Sequence, residues 1–261
     1  EALVRPMAFL VCGRAFDDRL FVDLAVGRTE PLPLRGTVRL DALDLAPLLP
    51  RLASAGRVEG RVSGVLAVDG GALRRPETLE GRVRLGEVRV AAGAVAIENR
   101  GPLELGFKNG ALAVHRARFA GPGSRLRLRG RASLREGLAL RVDAGLDLGL
   151  LARVSENVAA SAGRVEARLN VSGPFADPAL YGEATVADGR FDFADLEPSV
   201  EQLGGRVRFS QRSVLFEGFE AQVAGGRVRA SGSAELRDQG VERYALRIDA
   251  RDLAYDLSDG V

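Results

Sequence analysis

The stretch "SRLRLRGRASL", Ser124 to Leu134, sets Arg125, Arg127 and Arg129 in strict alternation with Leu126 and Leu128. Successive side chains of a β-strand point to opposite faces, whereas a helix would scatter these residues around its axis. The stretch therefore reads as a strand with one charged face and one apolar face. The same pattern returns at "GRVRL" (81–85), "GRVRF" (205–209) and "GRVRA" (226–230). Val83/Leu85, Leu103/Leu105/Phe107, Leu138/Leu140/Val142, Val165/Ala167/Leu169/Val171 and Leu246/Ile248/Ala250 follow it too. Strands of this kind belong to an antiparallel sheet that is wet on one side only. Asp69-Gly70-Gly71, Lys108-Asn109-Gly110, Gly121-Pro122-Gly123, Asp188-Gly189 and Ala224-Gly225-Gly226 read as the turns between strands.

Two segments break the alternation. "DLAPLLPRLASAG" (44–56) and "DLGLLARVSENVAASAG" (147–163) predict short helices ending near Gly56 and Gly163, the first shortened by Pro47 and Pro50. Each is followed by a similar strand, "RVEGRVSG" (57–64) and "RVEARLNVSG" (164–173), and Arg57 and Arg164 are 107 residues apart. Later landmarks recur at nearly the same offset: Leu79-x-Gly81 with Leu180-x-Gly182, and "LRVDA" (140–144) with "LRIDA" (246–250). The expected organisation is the end of a β repeat over 1–43, a β repeat with a short N-terminal helix over 44–146, and a second over 147–261. Repeats that stack through their neighbours make elongated bodies. The expected fold is all-β, a long, curved antiparallel sheet with two short helical interruptions.

Composition narrows the function. The chain has 261 residues, 37 Lys+Arg against 35 Asp+Glu, and Lys108 as its only lysine. A surface that binds nucleic acid concentrates positive charge on one face. Here acids dilute the arginines, as in Glu80/Arg82/Arg84/Glu87 and Arg164/Glu166/Arg168, and aromatic stacking platforms are sparse. No nucleic-acid partner is expected. His115 is the only histidine and Cys12 the only cysteine. Neither has the company a zinc site or a catalytic triad needs; His115 reads as a structural or solvent-facing residue and Cys12 as a small apolar one. "DFADLE" (192–197) lacks the spacing of a calcium loop, and no glycine cluster follows the order of a nucleotide cradle. No catalytic residue, metal or cofactor is expected. No apolar run reaches the length of a membrane-spanning helix, and no signal peptide is visible. The chain, opening on Glu1 and stopping at Val261, reads as a segment of a longer protein.

The apolar face needs a cover. Two short helices are too little for some fifteen strands, so the sheet must curl into a sandwich, a barrel or an open trough. Apolar residues make up 46% of the chain but aromatics only 5%, with no tryptophan. Candidate lining residues are Val83, Leu85, Leu103, Leu105, Phe107, Leu126, Leu128, Leu138, Leu140, Val165, Leu169, Phe191, Phe193, Val207, Phe209, Val228, Leu246 and Ile248. Phe119, Phe216 and Phe219 fall on inward positions as well. A lining of Leu, Val and Ala suits a smooth slot. A ten-residue strand is about 33 Å long, enough to bend around an acyl chain. Exposing a lipid tail to water costs about 0.8 kcal/mol per methylene, or on the order of 13 kcal/mol for sixteen carbons, which an apolar trough would largely offset.

The segments "GPFADPALYGEATVADGRFDF" (173–193) and "LEPSVEQLGGRVRFSQRSVLFEGFEAQVAGGRVRASGSAEL" (196–236) resemble the repeat of the TamB family, within the AsmA-like superfamily. The matching features are Gly173-Pro174, Asp177-Pro178-x-Leu180-x-Gly182, Asp188-Gly189, Gly205 through Phe209, and Gly225-Gly226-x-Val228-x-x-x-Gly232. The earlier copy keeps Gly71, Pro76, Leu79 and Gly81 with one extra residue between proline and leucine. The resemblance implies a U-shaped trough, the β-taco. It also implies a periplasmic place within an inner-membrane-anchored protein, phospholipid acyl chains as partners, and a role in outer-membrane biogenesis. A TamA-like barrel subunit is an implied partner through other parts of the protein. Three functions follow as expectations: a passive lipid conduit, an assembly factor that holds or docks outer-membrane barrel proteins by strand pairing, or a stalk with a dry interior. None is an enzyme.

Overall fold

The computed structural model describes residues 8–44, 58–92, 95–153, 155, 157–194, 198–237 and 240–254. Nearly all of them lie in sixteen strands of one antiparallel sheet. The first eight are β1 (Ala8–Ala15), β2 (Leu20–Gly27), β3 (Leu34–Asp44), β4 (Val58–Ala72), β5 (Arg75–Ala92), β6 (Val95–Asn99), β7 (Leu103–Lys108) and β8 (Ala111–Gly121). Then come β9 (Ser124–Ser133), β10 (Gly137–Asp147), β11 (Val158–Gly173), β12 (Ala179–Phe193), β13 (Val200–Gln211), β14 (Ser213–Val223), β15 (Gly226–Arg237) and β16 (Gly240–Arg251). Strands pair in chain order, with one variation: β6 and β7 lie end to end, each between β5 and β8. The chain divides into two units, Glu1–Gly121 with Arg127–Leu140, and Pro122–Leu126 with Arg141–Val261.

Alternation decides which way each strand faces. Along β9 the arginines at 125, 127, 129 and 131 are exposed, while Leu126, Leu128, Gly130 and Ala132 between them are partly buried. In the first unit Leu103, Val114 and Ala117 are buried, and Leu85, Val88, Leu105, Phe119, Leu128 and Leu140 pack against them. In the second unit the buried apolar residues among those described are Ala184, Val214, Ala221 and Ala234. None of the described side chains is fully buried.

The charged face holds itself together locally. Arg229 and Glu220 sit directly opposite each other on β15 and β14 and pair at 2.9 Å; Arg89 and Glu98 do the same at 3.0 Å on β5 and β6. Arg125 reaches Glu166 at 2.6 Å. Lys108 donates to Glu80 at 2.8 Å, and that hydrogen bond, with the carboxylate's charge, holds the ammonium pKa above its usual 10.5. Such exposed pairs, screened by water and salt, contribute little to stability; they keep the face wet more than they stabilise the fold.

Three expectations need correction. The segment 147–163 is not one helix: a 3-10 turn spans Leu148–Arg153, and β11 has begun by Val158. Ser161 explains the switch. Its hydroxyl donates to the Leu148 carbonyl at 2.8 Å and accepts from the Ala152 amide at 3.1 Å, while its backbone pairs with Phe191. A short isolated helix cannot outweigh a ladder already formed by β12. The other helical segment, 44–56, lies outside the described residues apart from Asp44, which ends β3. Second, Asp69-Gly70-Gly71 and Asp188-Gly189 are not turns. They lie inside β4 and β12, where the register slips and Asp188 takes φ 53°. Both are β-bulges, which use the same backbone chemistry as a turn without reversing the chain. Lys108-Asn109-Gly110, Pro122-Gly123 and Ala224-Gly225 do reverse it. Third, Cys12 is exposed on the charged face, opposite Asp23, with its Sγ donating to Asp23 Oδ1 at 3.7 Å.

Candidate functional site: the apolar sheet face

Cross-strand partners share a face, so the register turns the strand pattern into rows that run across the sheet. In the first unit one row reads Gly13–Val22–Val38–Leu66–Val83–Leu105–Val114. It crosses seven strands, about 29 Å along the sheet at the usual strand spacing. A neighbouring row reads Ala15–Leu20–Leu40–Gly64–Leu85–Leu103. In the second unit, β11 to β16 give Ala167–Ala184–Val207–Phe216–Gly232–Leu246 and, beside it, Leu169–Gly182–Phe209–Val214–Ala234–Tyr244. Every member of these four rows is apolar or glycine; Tyr244 alone carries a side-chain polar atom.

The rows mix sizes. Phe209 faces Gly182 on one side and Val214 on the other; Phe216 faces Val207 and Gly232. Gly205 shows why a residue without a side chain is needed. A Cβ there would meet Cγ of the Phe219 ring at 2.5 Å. The ring lies over the bare backbone, so a large aromatic adds apolar surface without standing up from the sheet. Phe216 and Phe219 meet edge to face, with centroids 6.2 Å apart. Phe191 and Phe193 stack at 6.3 Å with planes 17° apart, opposite Ser161 and Val158 on β11.

The eighteen residues marked by the sequence fall on this face with unequal cover. Leu103 is buried. Val83, Leu85, Leu105, Phe107, Leu128, Leu138 and Leu140 in the first unit are partly buried, as are Leu126, Val165, Leu169, Phe191, Phe193, Val207, Phe209 and Val228 in the second. Leu246 and Ile248, on β16, stay 53% and 64% exposed; among the described residues, only β15 pairs with that strand. The register joins Val83 to Leu105, Leu85 to Leu103, and, through Gly182, Leu169 to Phe209. Val22, Val38, Leu66 and the glycines and alanines of the rows belong to the same surface and were missed. Their signal was present as a glycine or alanine at an apolar-parity position, as in Leu180-x-Gly182-x-Ala184-x-Val186.

Reactive chemistry is thin on both faces. Among the described residues no group of three or more His, Cys, Asp or Glu side chains is placed to hold a metal. Residues 195–197 of the "DFADLE" segment lie outside the described residues. His115 is exposed at a β-bulge on β8, its ring lying over Gly106. No described helix is long and apolar enough to cross a membrane. The arrangement can solvate apolar groups on one side and keep ions and water on the other.

No protein-family model, curated protein or solved structure matches the chain. The fold and the site therefore define it: an all-β antiparallel-sheet protein that presents rows of Leu, Val, Phe, Ala and Gly on one face.

Proposed function

We propose that the apolar face carries the acyl chains of phospholipids. On this reading the chain is the middle of a trough-shaped conduit across the periplasm, part of an inner-membrane-anchored protein of the TamB type that supports outer-membrane biogenesis. It works by solvation and not by making or breaking bonds. The observation that carries the proposal is the continuous apolar rows, in which most side chains stay partly exposed and only a few, such as Leu103 and Val214, are buried, with no fully buried side chain among those described. A Leu, Val or Phe left partly in water forgoes about 0.5 kcal/mol of burial. Fifteen of the eighteen sequence-marked positions are in that state, so roughly 7 kcal/mol of unmet burial is spread over the face. A tail lying on part of the face recovers its share of that burial along with its own, and the gain is distributed thinly enough to let it slide.

The test is a photo-crosslinking residue placed at Leu128, Phe209 and Val207, and on the opposite face at Arg127 and Arg208. Lipid adducts should form at the first three and be at least tenfold weaker at the two arginine positions. Equal labelling at all five would overturn the proposal.

A second reading, a factor that holds strands of barrel proteins, is favoured by β16. All twelve of its residues are exposed and its apolar side chains continue the rows. An exposed edge recruits strands through backbone pairing. Successive amides point to opposite sides of a strand, so of Ala245→Pro and Leu246→Pro one removes an outward donor and spares pairing with β15. Under this reading that variant loses capture of barrel protein in a crosslinking pull-down while lipid adducts at Phe209 persist.

A further inference from the structure

We propose that Arg227 and Arg251 form a binding site for a phosphoryl anion on the charged face of the second unit. The two arginines sit directly opposite each other on β15 and β16. Like charges placed so are destabilising; elsewhere from β11 to β16 the register sets arginines against acids or neutral residues, as with Arg229 between Glu220 and Asp249, and where Arg61 stands opposite Arg89 in the first unit, Arg89 is paired with Glu98 at 3.0 Å. Among the described residues, neither Arg227 nor Arg251 has an ion-pair or side-chain hydrogen-bond partner. Two of the neighbouring acids are engaged elsewhere: Glu220 pairs with Arg229 at 2.9 Å and Asp249 with Arg247 at 3.1 Å. A local rule broken without compensation inside the fold points to a compensating group from outside.

The surroundings suit an anion. The pair lines a cleft of about 570 Å³ at the Ala224–Gly225 turn, with Arg229, Arg247, Gln222, Asp249 and Asp252. Four guanidiniums therefore face two carboxylates. Asp252 makes no ion pair with any of them. Gln222 lies opposite Arg227 on the other side, so an amide stands beside the two cationic forks. Guanidinium forks match the oxygens of a phosphate two at a time. A tetrahedral dianion or a phosphodiester between Arg227 and Arg251 would turn their repulsion into shared attraction. Free phosphate and a phospholipid headgroup offer the same chemistry. The site stands on these observations whether or not the apolar face carries lipid.

The experiment uses the full 261-residue chain with Arg227→Gln, Arg251→Gln and, as a control on the same face, Arg206→Gln. Melting is followed in phosphate-free buffer and again in phosphate at chloride-matched ionic strength. Without phosphate each site variant should melt about 1–3 °C higher than the wild type, because a repulsion is gone. With phosphate the wild type and Arg206→Gln should gain stability, and the site variants should bind at least tenfold more weakly. Titration with inorganic phosphate and with monomeric dihexanoyl phosphatidic acid then separates the sources. Equal affinity that is lost in both site variants assigns free phosphate. At least tenfold tighter binding of the lipid, lost in the same variants, assigns a headgroup. Absence of phosphate-specific stabilisation in the wild type, or its full retention in both site variants, overturns the proposal.

Discussion

On the proposed lipid-carrying role, Phe209→Asp is expected to lower lipid capture at the middle of the second unit by roughly a hundredfold while the sheet stays folded. Phe209 stands between Gly182 and Val214 in a row that continues to Leu169 and Tyr244. It is partly exposed, so a carboxylate placed there keeps access to water and is not trapped in a dry core. The folding cost is that of an ordinary unfavourable substitution, about 1–3 kcal/mol. A lipid tail cannot share that water. It must bend away from the hydrated carboxylate and lose contact with some four methylenes, about 3 kcal/mol at 0.8 each. That corresponds to roughly a hundredfold lower occupancy at this point of the row. Leu128→Asp should act in the same way in the first unit, with a larger loss of stability because Leu128 packs against buried Leu103, Val114 and Ala117. Phe209→Leu keeps the row apolar and should keep the lipid. Lipid extracted from purified protein, with circular dichroism on the same samples, reads both quantities. Undiminished lipid in a folded Phe209→Asp protein would count against the proposal that the apolar row carries acyl chains.

The alternation in Ser124–Leu134 was sufficient to read a one-sided antiparallel sheet, because strand parity is a local property. What stayed hidden was non-local. Asp188-Gly189 has the composition of a turn, yet Phe191 and Phe193 beyond it pair back onto Ser161 and Val158, so the chain continues and the dipeptide becomes a bulge. Segment 158–163 looked helical because Ala and Ser tolerate either state; the strand facing it decided the outcome. Cys12 sits in "FLVCG", where four consecutive apolar residues conceal the parity, and only the pairing of Val11 with Leu24 and Cys12 with Asp23 assigns its face. The lining was half legible for a related reason. Large apolar residues announce themselves, whereas Gly182 and Gly205 look like interruptions until their partners, Phe209 and Phe219, are known.

Gly182 shows how that hidden half carries stability, and Gly182→Val is expected to cost about 3–5 kcal/mol. Its φ is 132°, in a region that side chains rarely enter and that costs of order 1–3 kcal/mol when forced. A Cβ would collide with the Arg168 carbonyl oxygen and lie 3.1 Å from the Leu169 Cα. Both are backbone atoms of β11, so no rotamer change relieves the contact; the strand itself must move, at about 1–3 kcal/mol more. The displaced segment is the one that seats Leu169 and Phe209, so the row would break at the same place as the fold. Ordinary domains keep only 5–15 kcal/mol in total. Urea unfolding should therefore show a midpoint far below wild type, and amide exchange at Leu169 and Tyr181 should quicken first. Gly86→Ala supplies the contrast: nothing lies within 4 Å of its Cβ position, and it should unfold within about 0.5 kcal/mol of wild type. If Gly182→Val matched Gly86→Ala, β11 and β12 could not be held in the close register that places Leu169 and Phe209 in one row.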